Sequence, residues 1–94
     1  MKANTKSKTG FQGVKNIGPT IAKRLNEIGI YSLAELQRVG ASKAFLKIKE
    51  NYPGKTISVC YYLYSFEGAL LNLHWDDLPS KRKKELLRAI GKNS

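Results

Sequence analysis

Short stretches with helical spacing alternate along this chain with clusters of turn-forming residues, and one stretch departs from the pattern. From Ser58 to Leu73, SVCYYLYSFEGALLNL, the apolar residues leave no polar stripe. A helix apolar all round lies either in a core or in a membrane. This one contains Glu67 and is short for a bilayer span, so the expected structure is a small soluble bundle with Ser58–Leu73 at its centre.

The remaining segments predict helices that pack onto it. Gly18-Pro19 puts proline at the first position of a helix, where its missing N–H costs nothing. Ile21, Ala22, Leu25 and Ile28 share one face, Lys23, Arg24 and Glu27 point away, and Gly29 supplies the stop. Ser32 and Glu35 form an S-x-x-E capping box for a second short helix, Leu33 to Val39, closed by Gly40. A third is expected from Ser42 to Glu50, with Ala41, Phe45, Ile48 and Tyr52 inward and Lys43, Lys47 and Lys49 outward, before Asn51, Pro53 and Gly54 break it. Thr56 or Ser58 caps the central helix. His74-Trp75-Asp76-Asp77 forms a connector with Trp75 over the end of the core, and Leu78-Pro79 opens a last helix seated by Leu86, Leu87 and Ile90 and ended by Gly91. The reading is all-α, with about five helices. VCYYLY, rich in β-branched and aromatic residues, is the one run that competes for a strand. Ser65, Gly68 and Ala69 gather on one side of the central helix, where their small size lets another backbone approach.

The 94 residues make one domain with a single core. Cys60 is the only cysteine and falls inside the apolar stretch, which suits a structural thiol in a reducing, cytoplasmic setting. Charge changes the picture more. The net charge is +10, with four lysines and no acid in residues 1–15, a surplus of +5 from residue 80 to the end, and a nearly neutral body between. Residues 1–12 are expected to be a flexible basic arm ahead of a helical domain at 13–94. Such a field attracts polyanions, whether nucleic acid, an acidic partner or an anionic membrane surface, without saying which.

Two constellations bear on binding. Val14-Lys15-Asn16-Ile17-Gly18-Pro19, followed by Ala22 and Leu25, reads h-x-N-h-G-P-x-x-A-x-x-L. This is close to the hairpin and second helix of a helix-hairpin-helix element, which aims backbone N–H groups at a phosphate. The chemistry needs a positive-φ residue at the turn, a glycine where the phosphate approaches, and a helix whose positive end faces the anion. Asn16 stands where the usual element has its first glycine, and asparagine is the next most tolerant residue there. The candidate contacts are Lys15, Asn16, Ile17, Gly18, Thr20 and Lys23; the alternative is a capped turn used only for packing. Second, Lys81, Lys84, Arg88 and Lys92 share one face of the last helix, a basic stripe or simply a solvated face. Contacts of both kinds are blind to base sequence.

No set of residues for catalysis or metal binding presents itself. His74 with Asp76 and Asp77 is an incomplete ligand set, read as structure, and Glu67 is read as a buried anchor that must reach water, a cation or free N–H groups. Neither enzyme chemistry nor a cofactor is expected. A protein-interaction module using Tyr61, Tyr62 and Tyr64 is the alternative to DNA binding.

NIGP, GIYSLAEL, GASKAF and above all LYSFEGALLNLHWDDLP together resemble the C-terminal domain of the TfoX (Sxy) family of competence regulators, over Val14 to Ile90. The resemblance implies an all-helical domain with a helix-hairpin-helix-like part, from a family whose full-length members carry an N-terminal α/β domain and regulate DNA transformation. That domain has no counterpart in these residues. From the hairpin, the basic ends and the tyrosines, the expected partners are nucleic acid or a regulatory protein, with no membrane role; the oligomeric state is left open.

Overall fold

The computed structural model describes residues 10–11 and 13–91; the expected basic arm and Lys92 lie outside the described residues. Five α-helices are present among them: α1 (Pro19–Glu27), α2 (Leu33–Val39), α3 (Ala41–Asn51), α4 (Ser65–Leu71) and α5 (Ser80–Ala89). A π-helical segment, Val59–Tyr64, runs directly into α4, and a 3-10 turn, Trp75–Asp77, separates α4 from α5. The all-α reading holds, and none of these helices is long and apolar enough to cross a membrane.

Local chemistry sets the boundaries. The Ser32 hydroxyl accepts the Glu35 N–H at 3.2 Å, and the Glu35 carboxylate reaches back one residue further than the cap, to the Tyr31 N–H. Gly40 serves both neighbours: its N–H bonds the Leu36 carbonyl at 2.7 Å, its carbonyl accepts from Ala44 at 3.0 Å, and its φ of 92° favours a residue without Cβ. Helices α2 and α3 therefore follow without an intervening loop.

Leu25, Leu36, Phe45, Ile48, Leu63 and Phe66 are the large side chains with almost no exposure. The core thus receives residues from α1 to α4 and from the π-helical segment, with Leu86 of α5 added at its edge.

The central stretch differs from expectation in two ways. It ends early: Asn72 adopts a left-handed conformation (φ 58°, ψ 41°) after Leu71, leaving Leu71 and Leu73 exposed. Its first half is helical, as the spacing suggests, but wound as π-helix and laid partly on the surface, so that Cys60 is exposed and Tyr61 retains 50% of its surface. Cys60 is therefore not the buried structural thiol that the apolar run suggests. Burial is concentrated from Leu63 to Ala69.

Candidate nucleic-acid interface

The segment before α1 consists of two successive turns. The Val14 N–H bonds the Phe11 carbonyl at 3.0 Å and the Ile17 N–H bonds the Val14 carbonyl at 3.3 Å. Gly13 (φ 79°) and Asn16 (φ 73°) hold the third position of each, where a turn of this kind demands positive φ. Phe11 and Ile17 are buried and tie both ends to the core. What precedes Gly10, including any first helix of a helix-hairpin-helix, lies outside the described residues.

The second turn is held from outside. Asn16 Nδ2 donates to the Leu73 carbonyl at 2.7 Å and, at 3.5 Å, to that of Ser65, while the Trp75 N–H donates to Asn16 Oδ1 at 3.3 Å. Gly68 makes room for this. A Cβ there would come within 2.5 Å of Asn16 Nδ2 and 2.6 Å of the Leu73 carbonyl oxygen. The backbone approach expected at the small residues of the central helix is thus made by the chain's own Leu73–Trp75. His74 shapes this connector by accepting the Asp76 N–H on Nδ1 at 3.1 Å, and Trp75 packs half-buried against the core.

Gly18 caps α1 in an extended conformation (φ −89°, ψ −176°) without any side-chain cap bond, and α1 has no acid in its first turn. The Ala22 N–H bonds the Gly18 carbonyl at 2.9 Å. The N–H groups of Thr20 and Ile21 precede that first bond, as helix geometry requires, and no bond from either is present among the described residues. Gly18, Thr20, Lys15 and Lys23 are exposed, so the positive end of the helix opens to solvent beside two lysines. Of the residues singled out from sequence, Lys15, Gly18, Thr20 and Lys23 therefore face outward. The Asn16 side chain points inward onto the connector, and Ile17 sits in the core with its N–H engaged.

On α5, Lys81, Lys84 and Arg88 are all exposed, as one shared helix face predicts. The other cations of α5 are engaged with the body. Lys83 Nζ lies 5.5 Å from the Tyr64 ring centre, and Arg82 Nε donates to Glu67 Oε2 at 2.8 Å while its Nη1 reaches Glu85 at 2.9 Å. Glu67 has found the cation its burial calls for, and the two carboxylates, Glu67 first, raise the Arg82 pKa further. This pair stands in the wall of a cleft of about 490 Å³, together with Gln37, Ser42, Leu71 and Leu86.

A third polar group lies at the C-terminal ends of α1 and α3, where Arg24 stacks 4.9 Å from the Tyr52 ring centre and Tyr52 donates to Glu27 at 2.7 Å. That bond to Glu27 raises the Tyr52 pKa. Of the three tyrosines of the interaction-module reading, Tyr64 is buried, Tyr62 is half-buried with its ring edge-on to Tyr61 at 5.0 Å, and Tyr61 alone is well exposed.

Sequence reasoning marked Asn16 and Gly68 separately and missed that they meet. The only signal was a glycine in a helix interior, which asks for a close neighbour without naming it.

Among curated proteins none matches the sequence. Among solved structures, an uncharacterized protein from Listeria monocytogenes, crystallised in a triclinic form, is similar at a TM-score of 0.73 and 31% identity, over 89% of this chain and 97% of that one. The sequence also matches the family described as the TfoX C-terminal domain over residues 7–90. With the match spanning nearly the whole sequence and the fold helical as that likeness implies, the chain belongs to the TfoX C-terminal domain family.

Proposed function

We propose that this domain is a DNA-associated accessory module related to competence regulation, which grips the phosphate backbone without reading base sequence. The contacts are the N–H groups at the start of α1, the Thr20 hydroxyl, Lys15 and Lys23, supplemented by Lys81, Lys84 and Arg88 on α5. In this reading it is a cytoplasmic binding module and not an enzyme.

The observation that carries the reading is Gly18. It has ordinary negative φ, and a Cβ added there would meet nothing within 4 Å, so neither strain nor packing asks for glycine. Serine, asparagine or aspartate would cap the helix better. A glycine that leaves the cap open fits an external anion approaching the helix end.

Gly18→Asp separates the two interests. It should stabilise the fold by about 0.5 kcal/mol through capping and the helix dipole, while placing a carboxylate where the phosphate would sit. The expected result is a slightly raised melting temperature together with strongly weakened binding of a mixed-sequence duplex, read by fluorescence anisotropy at low salt. Binding unchanged in this variant would overturn the assignment of the hairpin. A second reading, docking of a regulatory protein, draws on the exposure of Tyr61. It would be favoured if a nuclease-treated pull-down retained a specific protein while the purified domain bound no duplex.

A further inference from the structure

We infer that Asn16 is a positioning residue for the phosphate-facing turn, an inference that rests on the DNA-binding reading above and concerns how the same site is aimed. The shape of the turn alone does not require asparagine: at φ 73° glycine carries no strain, whereas any L residue carries some. Asparagine adds a side chain with both a donor and an acceptor, and both are used across the fold. Nδ2 bonds the Leu73 carbonyl, 57 residues away, and Oδ1 accepts the Trp75 N–H, 59 residues away. The turn's own bond, from Ile17 N–H to the Val14 carbonyl, is long at 3.3 Å and correspondingly weak.

Two constraints therefore fix the direction of the Gly18 and Thr20 N–H groups. On one side is the Asn16 lock onto the connector between α4 and α5. On the other are Ile21 and Leu25 of α1, buried in the core. Gly18 lies between them with no neighbour within 4 Å of its missing Cβ. Without the lock, the turn between the buried Phe11 and Ile17 keeps only the packing of Val14 and its own weak bond. A phosphate then has to order the turn as it binds, and the ordering lowers affinity. The ligand is a backbone phosphate of a duplex, held by pre-aimed N–H groups.

Asn16→Gly tests this, since glycine keeps the conformation and removes only the lock. In the 15N-labelled wild type, a mixed-sequence duplex should shift the amide signals of Gly18 and Thr20 as well as those around Lys81, Lys84 and Arg88. In the variant, at a temperature where circular dichroism shows it folded, the Gly18 and Thr20 shifts should be largely lost while the α5 shifts persist. Affinity should fall about tenfold, the loss of roughly one charge-assisted hydrogen bond. Should the glycine variant fail to fold, Asn16→Asp keeps the acceptor for Trp75 and loses the donor to Leu73. Its effect is compared with that of Lys15→Gln, which removes the same unit of charge next door, and must exceed it. If Asn16→Gly is less stable yet binds and shifts as the wild type does, the residue is structural only and the inference is wrong. If the wild-type protein binds no duplex, it is the functional reading that falls first.

Discussion

Gly68→Ala is expected to destabilise the domain by about 3 kcal/mol, lowering the melting temperature by roughly 10 to 20 °C for a domain of this size. The direction is opposite to helix propensity, which favours alanine over glycine inside a helix by about 1 kcal/mol. The reason is the approach of a second piece of backbone. The new methyl would lie 2.6 Å from the Leu73 carbonyl oxygen, 2.5 Å from Asn16 Nδ2 and 3.3 Å from Trp75 Cα. Two of these are backbone atoms, and the third is the end of a short side chain held in place by its bond to the Leu73 carbonyl. Gly68 is buried in α4, so the helix cannot yield outward. Relief requires pushing the connector away, which breaks the bonds Asn16 makes to Leu73 and Trp75, each worth about 1 kcal/mol. Urea unfolding monitored by helical circular dichroism reads the loss directly. A variant as stable as the wild type would mean that the connector is not held against α4.

The second large effect concerns the Glu67–Arg82 pair, and it is asymmetric. The Glu67 side chain keeps 7% of its exposure and that of Arg82 keeps 43%. Arg82→Met leaves a buried carboxylate without its cation and should cost about 2 to 3 kcal/mol, somewhat below the usual figure for a broken buried pair because the adjoining cleft admits water. Glu67→Leu leaves an arginine that reaches solvent and still holds Glu85 at 2.9 Å, so the loss should stay below about 1 kcal/mol. The double variant should recover most of what Arg82→Met loses, since replacing both partners by apolar groups removes the unpaired charge. Denaturant midpoints of the three variants make a double-mutant cycle. Equal losses for the two single variants would show that burial of Glu67 is not the source of the asymmetry.

Local signals were legible in the sequence and long-range ones were not. Proline at the start of α1, the Ser32–Glu35 box and the glycine between α2 and α3 act through neighbours a few residues away, and the structure places helix ends there. The family motif from Leu63 to Pro79 was readable as a pattern before its purpose was. Its Gly68, Leu73 and Trp75 form the receptor for Asn16, whose place in the sequence is more than fifty residues earlier. Spacing along one helix cannot reveal such a partner. Nor did it show that Arg82, off the basic stripe of α5, would meet Glu67, because helical periodicity says which residues share a face and not what that face meets. The π-helical winding of VCYYLY was also hidden: apolar composition argued for burial, and the wider turn brought Cys60 and Tyr61 to the surface.

The hairpin residues divide in the same way. Lys23 lies on the outside, as the helical spacing of α1 indicated, and Lys15, Gly18 and Thr20 are exposed beside it. Asn16, a departure from the glycine usual in such hairpins, supplies the positive φ and in addition an amide that glycine lacks.

The most direct measurement of the proposed function is the salt dependence of binding to a mixed-sequence duplex, taken for the wild type and for a variant with Lys81, Lys84 and Arg88 all replaced by glutamine. Neutralisation of roughly four to five phosphates by the exposed cations should make the logarithm of the association constant fall with the logarithm of salt at a slope of about −4. The triple replacement should reduce that slope by about three. No binding at low salt, or a slope unchanged by the replacement, would contradict phosphate recognition by these residues.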